Sequence, residues 1–234
     1  MKNTKDFDMF STKMKSFFSE LTLNNNKAWF DDNRSLYETE IRDKTKSFVL
    51  KMNDIFLNSE MPYIADTKIS TFRINRDIRF SKDKNPYKTN LGVIFPYCEN
   101  PMIFNKEFTF GLYVHYEAGQ SFIAIGVHSP DSPTLKNIRH YIAENYEELT
   151  KIVGDKDFRI HFPEEYASQE PLKRVPGFPQ DHPAGEFLKK KEFSYGAKFD
   201  DNIFFTNELI PFIIEKCVVS VDYMSFFYKA IYQQ

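Results

Sequence analysis

Residues 110–127 read FGLYVHYEAGQSFIAIGV, and this stretch decides the fold class. Apolar side chains alternate with other residues on both sides of its middle, which is typical of strands that bury one face. The connection between the two halves is only the four residues 117–120, which leaves room for a tight turn and nothing more. Strands joined by so short a turn run antiparallel, so we expect an antiparallel hairpin in the middle of the chain.

Further strands and helices are predicted on either side of this hairpin. Alternating patterns predict strands at 69–75, 91–95, 158–162 and 193–199. Apolar residues that recur every three or four positions predict helices instead. These helices cover 7–21, 29–55, 132–154, 183–190 and a C-terminal segment that follows Thr206. Ser132 is the predicted N-cap of the third helix, because serine accepts hydrogen bonds from the first free backbone N–H groups.

The order of these elements predicts an α+β protein with a central antiparallel or mixed sheet, packed by N-terminal, middle and C-terminal helices. No flexible linker, repeat or low-complexity tract interrupts the 234 residues, so we expect one compact domain over 1–234. Within it we distinguish a helical part, a strand-rich part and a mixed part, which cover 1–60, 68–130 and 131–234.

Composition narrows the class of protein. No apolar run approaches the roughly 20 residues of a membrane span, so we expect no membrane partner. Cys98 and Cys217 form neither a disulfide framework nor a metal-binding spacing, which together with the absence of an apolar leader favours the cytoplasm. The formal net charge of −2 argues against a protein whose whole surface attracts nucleic acid.

One segment carries unusual charge: residues 72–88 read FRINRDIRFSKDKNPYK. It holds six basic and two acidic side chains, a local net charge of +4 in a slightly acidic chain. The guanidinium group of arginine binds phosphate or carboxylate with two parallel hydrogen bonds, and lysine adds a mobile charge. Asn85-Pro86 predicts a turn that returns Tyr87 and Lys88 towards the arginines.

We therefore predict that this basic segment binds an anionic small molecule in a common cleft, with Asp77 ion-paired to an arginine. The candidate ligand-binding residues are Arg73, Arg76, Asp77, Arg79, Lys84, Tyr87 and Lys88, joined from elsewhere in the chain by Arg139, Arg174 and His182. If chemistry takes place, Asp77 or Tyr87 is placed to pass a proton. Two alternatives stay open: contact with a nucleic-acid backbone, which the low net charge disfavours, and a purely architectural motif.

The basic segment also resembles the signature of a bacterial family of conserved hypothetical proteins, domain of unknown function 2461. The signature is Arg-x-x-Arg-Asp-x-Arg-Phe followed by Lys-x-Pro-Tyr-Lys. The matching residues are Arg73, Arg76, Asp77, Arg79, Phe80, Lys84, Pro86, Tyr87 and Lys88. Similarity continues at Asn24, Trp29, Gly126, Arg139 and the stretch 172–183. The resemblance implies a soluble bacterial protein without an established activity.

Other chemistry-bearing motifs are weak. His115 lies within the hairpin and His128 directly follows it, but neither has neighbours at metal-ligand spacing. The chain contains no glycine-rich phosphate loop and no serine in a nucleophile-elbow motif. We predict no metal and no cofactor, and the sequence does not identify a reaction.

Overall fold

The computed structural model of the chain describes residues 7, 9–79, 81–104 and 110–233. Within this part the fold is α+β with a five-stranded antiparallel sheet, so the predicted fold class is confirmed. The strands are β1 (Leu91–Pro96), β2 (Gly111–Tyr116), β3 (Phe122–Val127), β4 (Glu164–Tyr166) and β5 (Phe193–Lys198). The α-helices are α1 (Thr12–Leu23), α2 (Lys27–Asp32), α3 (Arg34–Tyr37), α4 (Asp43–Asn58), α5 (Ser132–Gly154), α6 (Lys156–His161), α7 (Gly185–Leu188) and α8 (Leu209–Tyr232). A π-helical turn covers Glu38–Arg42, and 3₁₀ turns cover Pro101–Ile103 and Asp201–Phe205.

The strands follow the order β1-β2-β3-β5-β4 across the sheet. The β2–β3 pair is the hairpin that the sequence predicts. On β3 itself, Gly126 has φ of +118°, and a Cβ atom there would lie 1.9 Å from the carbonyl oxygen of Phe193 on β5. Only glycine lets the two backbones approach this closely.

The described residues fall into two compact units, so the single domain over 1–234 stays a prediction. The first unit comprises the described residues up to Phe95, Tyr113–Ile123 and Lys198–Ile214, and the second comprises the remainder. The first unit is built around buried aromatic rings such as those of Phe48 and Phe95, whose centroids lie 5.9 Å apart. In the second unit, the rings of Phe158, Tyr195 and Tyr223 form a comparable cluster.

The predicted second helix is interrupted. Asn33 lies between α2 and α3 with φ of −102° and ψ of 8°, outside helical geometry. Its side-chain amide donates a hydrogen bond to the carbonyl of Trp29 at 2.9 Å. Such a local side-chain bond competes with the backbone ladder of a helix, which explains why one long periodic segment folds as several shorter helices.

Two predicted strands are wrong. Residues 69–75 form only isolated bridges, Thr71 with Val93 and Asn75 with Tyr87. Residues 158–162 lie in and just after α6, because Asp155 caps that helix by accepting hydrogen bonds from the backbone N–H groups of Asp157 and Phe158. The apparent alternation misleads, since two buried residues four positions apart, Phe158 and Phe162, fit a helical face equally well.

The cap of α5 also differs from the prediction by one residue. Asp131, not Ser132, accepts the hydrogen bond from the backbone N–H of Thr134, at 2.8 Å. Both residue types are good N-caps, so sequence preference alone does not choose between them. Among the helices in the described part of the chain, none has the length and hydrophobicity needed to traverse a lipid bilayer.

Candidate functional site

The basic segment is held as a loop whose ends pair with each other. The backbone N–H of Arg76 donates to the carbonyl of Pro86 at 2.9 Å, and that of Lys88 donates to the carbonyl of Ile74 at 2.8 Å. The turn expected at Asn85-Pro86 therefore brings Tyr87 and Lys88 back beside the start of the segment. The described residues between these paired ends include the charged side chains of Asp77, Arg79, Lys82, Asp83 and Lys84.

Tyr87 anchors this loop to the first unit. Its ring is 6% exposed and stacks on that of Phe30, with centroids 4.1 Å apart and planes inclined by 14°. The side chain of Asn25 accepts a hydrogen bond from the backbone N–H of Tyr87 and donates one to its carbonyl, at 3.1 and 3.0 Å. The contacts of Tyr87 are those of a packing residue.

Two arginines of the segment are ion-paired within it. Arg79 binds Asp77 through two parallel hydrogen bonds of 3.0 and 2.7 Å, and Arg76 pairs with Asp83. The predicted pairing of Asp77 is thus confirmed. Hydrogen bonds from the side chain and backbone of Arg79 hold the pKa of Asp77 below its ordinary value. Both pairs are exposed to water, where such interactions contribute little to stability.

Lys84 also makes a contact within the loop, because its Nζ donates to the carbonyl of Ile78 at 3.0 Å. Among the described residues, no carboxylate lies within 4.0 Å of the charged group of Arg73, Lys82 or Lys88. Lys88 is half-buried, with Nζ 5.3 Å from the ring centroid of Phe72. Burial, and secondly the charge of Arg73, lower the pKa of Lys88.

Arg73 and Lys88 both line one small cleft in the first unit. Its enclosed volume is about 20 Å³, which is room for about one water molecule, and the rest of the cleft is open to solvent. Asn90 adds an amide to its polar wall, and Phe18, Tyr37 and Phe72 contribute apolar or aromatic surface. Two cations beside aromatic rings in an open cleft suit a small anion such as phosphate.

The remaining predicted residues lie in the second unit. Arg139 donates hydrogen bonds to the carbonyls of Leu188 and Lys190, at 2.8 and 3.0 Å, and so satisfies the end of α7. Burial lowers the pKa of Arg139. His182 accepts a hydrogen bond from the backbone N–H of Ala184 through Nδ1, at 3.1 Å, and Arg174 is exposed. Phe80, from the signature, lies outside the described residues.

One group of hydrogen-bonded residues was not predicted from the sequence. Tyr113, His115 and Glu117 lie on one face of β2 and its extension, as residues at alternate positions of a strand do. The hydroxyl of Tyr113 lies 3.1 Å from His115 Nδ1, and His115 Nε2 lies 3.4 Å from Glu117 Oε2. The spacing of these three residues at alternate positions of a predicted strand would have indicated that their side chains share one face. In the described ranges, no cluster of three His, Cys, Asp or Glu residues is arranged to hold a metal ion.

A family model described as conserved hypothetical protein (DUF2461) matches residues 13–226. No curated protein and no solved structure matches the chain. The predicted resemblance is confirmed at the level of the family, whereas the bacterial origin and the cytoplasmic location stay predictions.

Proposed function

Because the chain belongs to the DUF2461 family of conserved hypothetical proteins, whose description names no activity, we propose a function from the geometry of its cleft. The protein binds a small molecule bearing a phosphate or carboxylate group, held by Arg73 and Lys88. The observation that carries this proposal is the pair of cations on one cleft, neither of which has a carboxylate partner among the described residues.

The electrostatics of the cleft support the same proposal. Two neighbouring cations destabilise each other, and burial of Lys88 adds to that cost, as the lowered pKa of its ammonium group reflects. An anion between them removes both penalties. Arg76 and Arg79 contribute less because they already have carboxylate partners, and Lys84 because it has a carbonyl partner. Lys82 is exposed and does not line the cleft.

The proposal is tested by thermal-shift and calorimetric titration with inorganic phosphate. Phosphate that binds only the folded state stabilises it by about 2.7 kcal/mol at a hundredfold excess over the dissociation constant. Arg73→Ala is expected to abolish this stabilisation, since a guanidinium fork is not replaced by a neighbouring lysine.

Arg79→Ala is the matched control, because it removes an arginine of the same loop that is 76% exposed and paired with Asp77. It should keep the response to phosphate. Equal responses of both variants, or a wild-type protein that phosphate does not stabilise, would contradict the proposed site. Stabilisation by single-stranded oligonucleotides alone would favour the nucleic-acid alternative.

A further inference from the structure

The strand beside the cleft carries a hydrogen-bonded chain of three titratable side chains. His115 is 8% exposed, and its ring stacks on that of Phe122 on β3, with centroids 4.6 Å apart. The histidine lies between the Tyr113 hydroxyl at 3.1 Å and the Glu117 carboxylate at 3.4 Å. Thr89 in turn donates a hydrogen bond to the other oxygen of Glu117, at 3.4 Å.

The Glu117 carboxylate fixes where the protons lie in these two hydrogen bonds. An ionised carboxylate only accepts hydrogen bonds, so Nε2 of His115 carries the proton and donates to Glu117. Nδ1 then carries no proton and accepts a hydrogen bond from the hydroxyl group of Tyr113. Burial lowers the pKa of His115, with Glu117 opposing this effect, and burial raises the pKa of Tyr113 to about 12. Both groups are therefore neutral near pH 7.

The free end of these hydrogen bonds, Tyr113, does not itself line the cleft but lies against two residues that do. Gly92 lines the cleft, and a Cβ atom at Gly92 would lie 2.5 Å from the Tyr113 hydroxyl oxygen. The hydroxyl thus lies directly over the backbone of a cleft residue that has no side chain to intervene. Phe72, another lining residue, packs edge-on against the Tyr113 ring, with centroids 5.9 Å apart.

We propose that Tyr113, His115 and Glu117 are the acid–base chain of this cleft, in which the Tyr113 hydroxyl contacts the bound anion and passes a proton between that anion and His115. This inference rests on the proposed function. Tyr113 is the residue that touches the ligand, whereas His115 and Glu117 are positioning residues. The ligand class is an anion with a dissociable proton, such as a phosphate monoanion.

The step balances as two coupled proton transfers. The P–O–H bond of the bound monoanion breaks as an O–H bond forms at Tyr113, while the original O–H bond of Tyr113 breaks as an N–H bond forms at His115 Nδ1. The products are a dianion beside Arg73 and Lys88 and an imidazolium beside Glu117. Among the described residues, Glu117 is the charged group that faces the two hydrogen-bonded rings, and the neighbouring Phe122 and Thr89 do not titrate. Arg73 and Lys88 line the adjoining cleft.

Sulfate provides the test, because it carries no proton to exchange between pH 6 and 8. A sulfate dianion in the cleft favours the imidazolium form of His115, so its binding should take up a proton from solution. Calorimetric titration of sulfate in two buffers of different ionisation enthalpy measures this uptake. A full proton corresponds to about a tenfold weaker sulfate affinity for each unit of rising pH.

Three variants separate the chain from other sources of protons. Tyr113→Phe and His115→Gln should bind sulfate with little proton uptake. Tyr116→Phe should keep the wild-type uptake, because its hydroxyl is on the opposite face of β2 and is buried with no hydrogen-bond partner among the described residues. If His115→Gln does not fold, as judged by circular dichroism, Tyr113→Phe decides alone, since it removes a single oxygen atom.

The outcomes distinguish the chain from the anion site itself. Sulfate binding without proton uptake, or with equal uptake in all variants, overturns the acid–base chain and leaves the anion site in place. Wild-type protein that binds neither sulfate nor phosphate overturns the proposed function and this inference together.

Discussion

At the scale of single residues, charge alone does not reveal role. The basic segment contains arginines of three kinds: Arg79 binds Asp77 side by side, Arg76 pairs with Asp83, and Arg73 lines the cleft. Elsewhere, the carboxylate of Glu192 is fully buried and accepts hydrogen bonds from Ser129 and Ser168. Exposure to water and the identity of the partner separate these cases, because the same charged group is costly when buried and cheap when solvated.

Replacing Asp77 by asparagine should therefore change stability very little. The ion pair with Arg79 is exposed, with side chains 43% and 76% accessible, so water compensates for its loss. The melting temperature, measured by circular dichroism at low and moderate salt, should match that of the wild type. A large fall in melting temperature would show that Asp77 stabilises the fold by more than its exposed ion pair with Arg79 explains.

Glu192→Gln should destabilise the fold by about 1–3 kcal/mol, because an amide nitrogen would face donors that now bind a carboxylate oxygen. Burial tends to raise the pKa of Glu192, but hydrogen bonds from Ser168 and Ser129 outweigh it and lower the pKa. The stabilisation is therefore present above the ordinary pKa of glutamate and is lost as the pH falls through the lowered value. The difference in melting temperature between wild type and variant should shrink from pH 7 to pH 3.

At the scale of elements, the ends of helices and close strand pairs depend on short contacts. α1 buries Met14, Phe17 and Leu21 on one face, which its apolar periodicity already indicates. Its neighbour α2 needs a side-chain cap, and β3 needs a glycine where β5 approaches. These are positions where one atom decides the local structure, and each supports a direct test.

Gly126→Ala should destabilise the protein by about 2 kcal/mol or more, because the added Cβ would overlap the Phe193 carbonyl and the φ of +118° disfavours alanine. Gly154→Ala is the control, since nothing lies within 4 Å of the new atom there. Chemical denaturation of both variants measures the difference. Equal free energies of unfolding for the two variants would mean that β3 and β5 can move apart without loss of stability.

Asp131→Ala should lower the melting temperature more than Ser132→Ala does. Asp131 accepts the capping hydrogen bond from Thr134, and for Ser132 the structure gives no such bond. The two substitutions are adjacent and similar in size, so each serves as the reference for the other. The reverse order would restore Ser132 as the N-cap.

At the scale of the whole molecule, overall charge predicts how binding responds to salt. The net charge of −2 gives no long-range attraction for a polyanion, and a cleft with two cations engages few phosphate groups. The calorimetric affinity for inorganic phosphate should therefore weaken only moderately between 50 and 200 mM salt. A loss of roughly 10³–10⁵, as expected for 6–10 phosphate contacts, would instead indicate a nucleic-acid surface.

The α+β class, the central hairpin and the position of the charged segment follow from the amino-acid sequence alone. Each depends on neighbours within about twenty residues: alternation in 110–127, three- and four-residue periods in the helices, and local charge in 72–88. The same local reasoning failed at 158–162, where the spacing of Phe158 and Phe162 suits a strand and a helix alike.

Local sequence does not predict which cations form ion pairs and which line the cleft, because that depends on the folded path of the chain. Arg73 and Lys88 lie 15 positions apart in sequence, and they share a cleft because a bridge between Asn75 and Tyr87 closes the loop. The Tyr113 hydroxyl meets Gly92 through strand pairing across 21 positions. The physical reason is that hydrogen bonds and ion pairs act over a few ångströms, so their partners are fixed by the folded path of the chain.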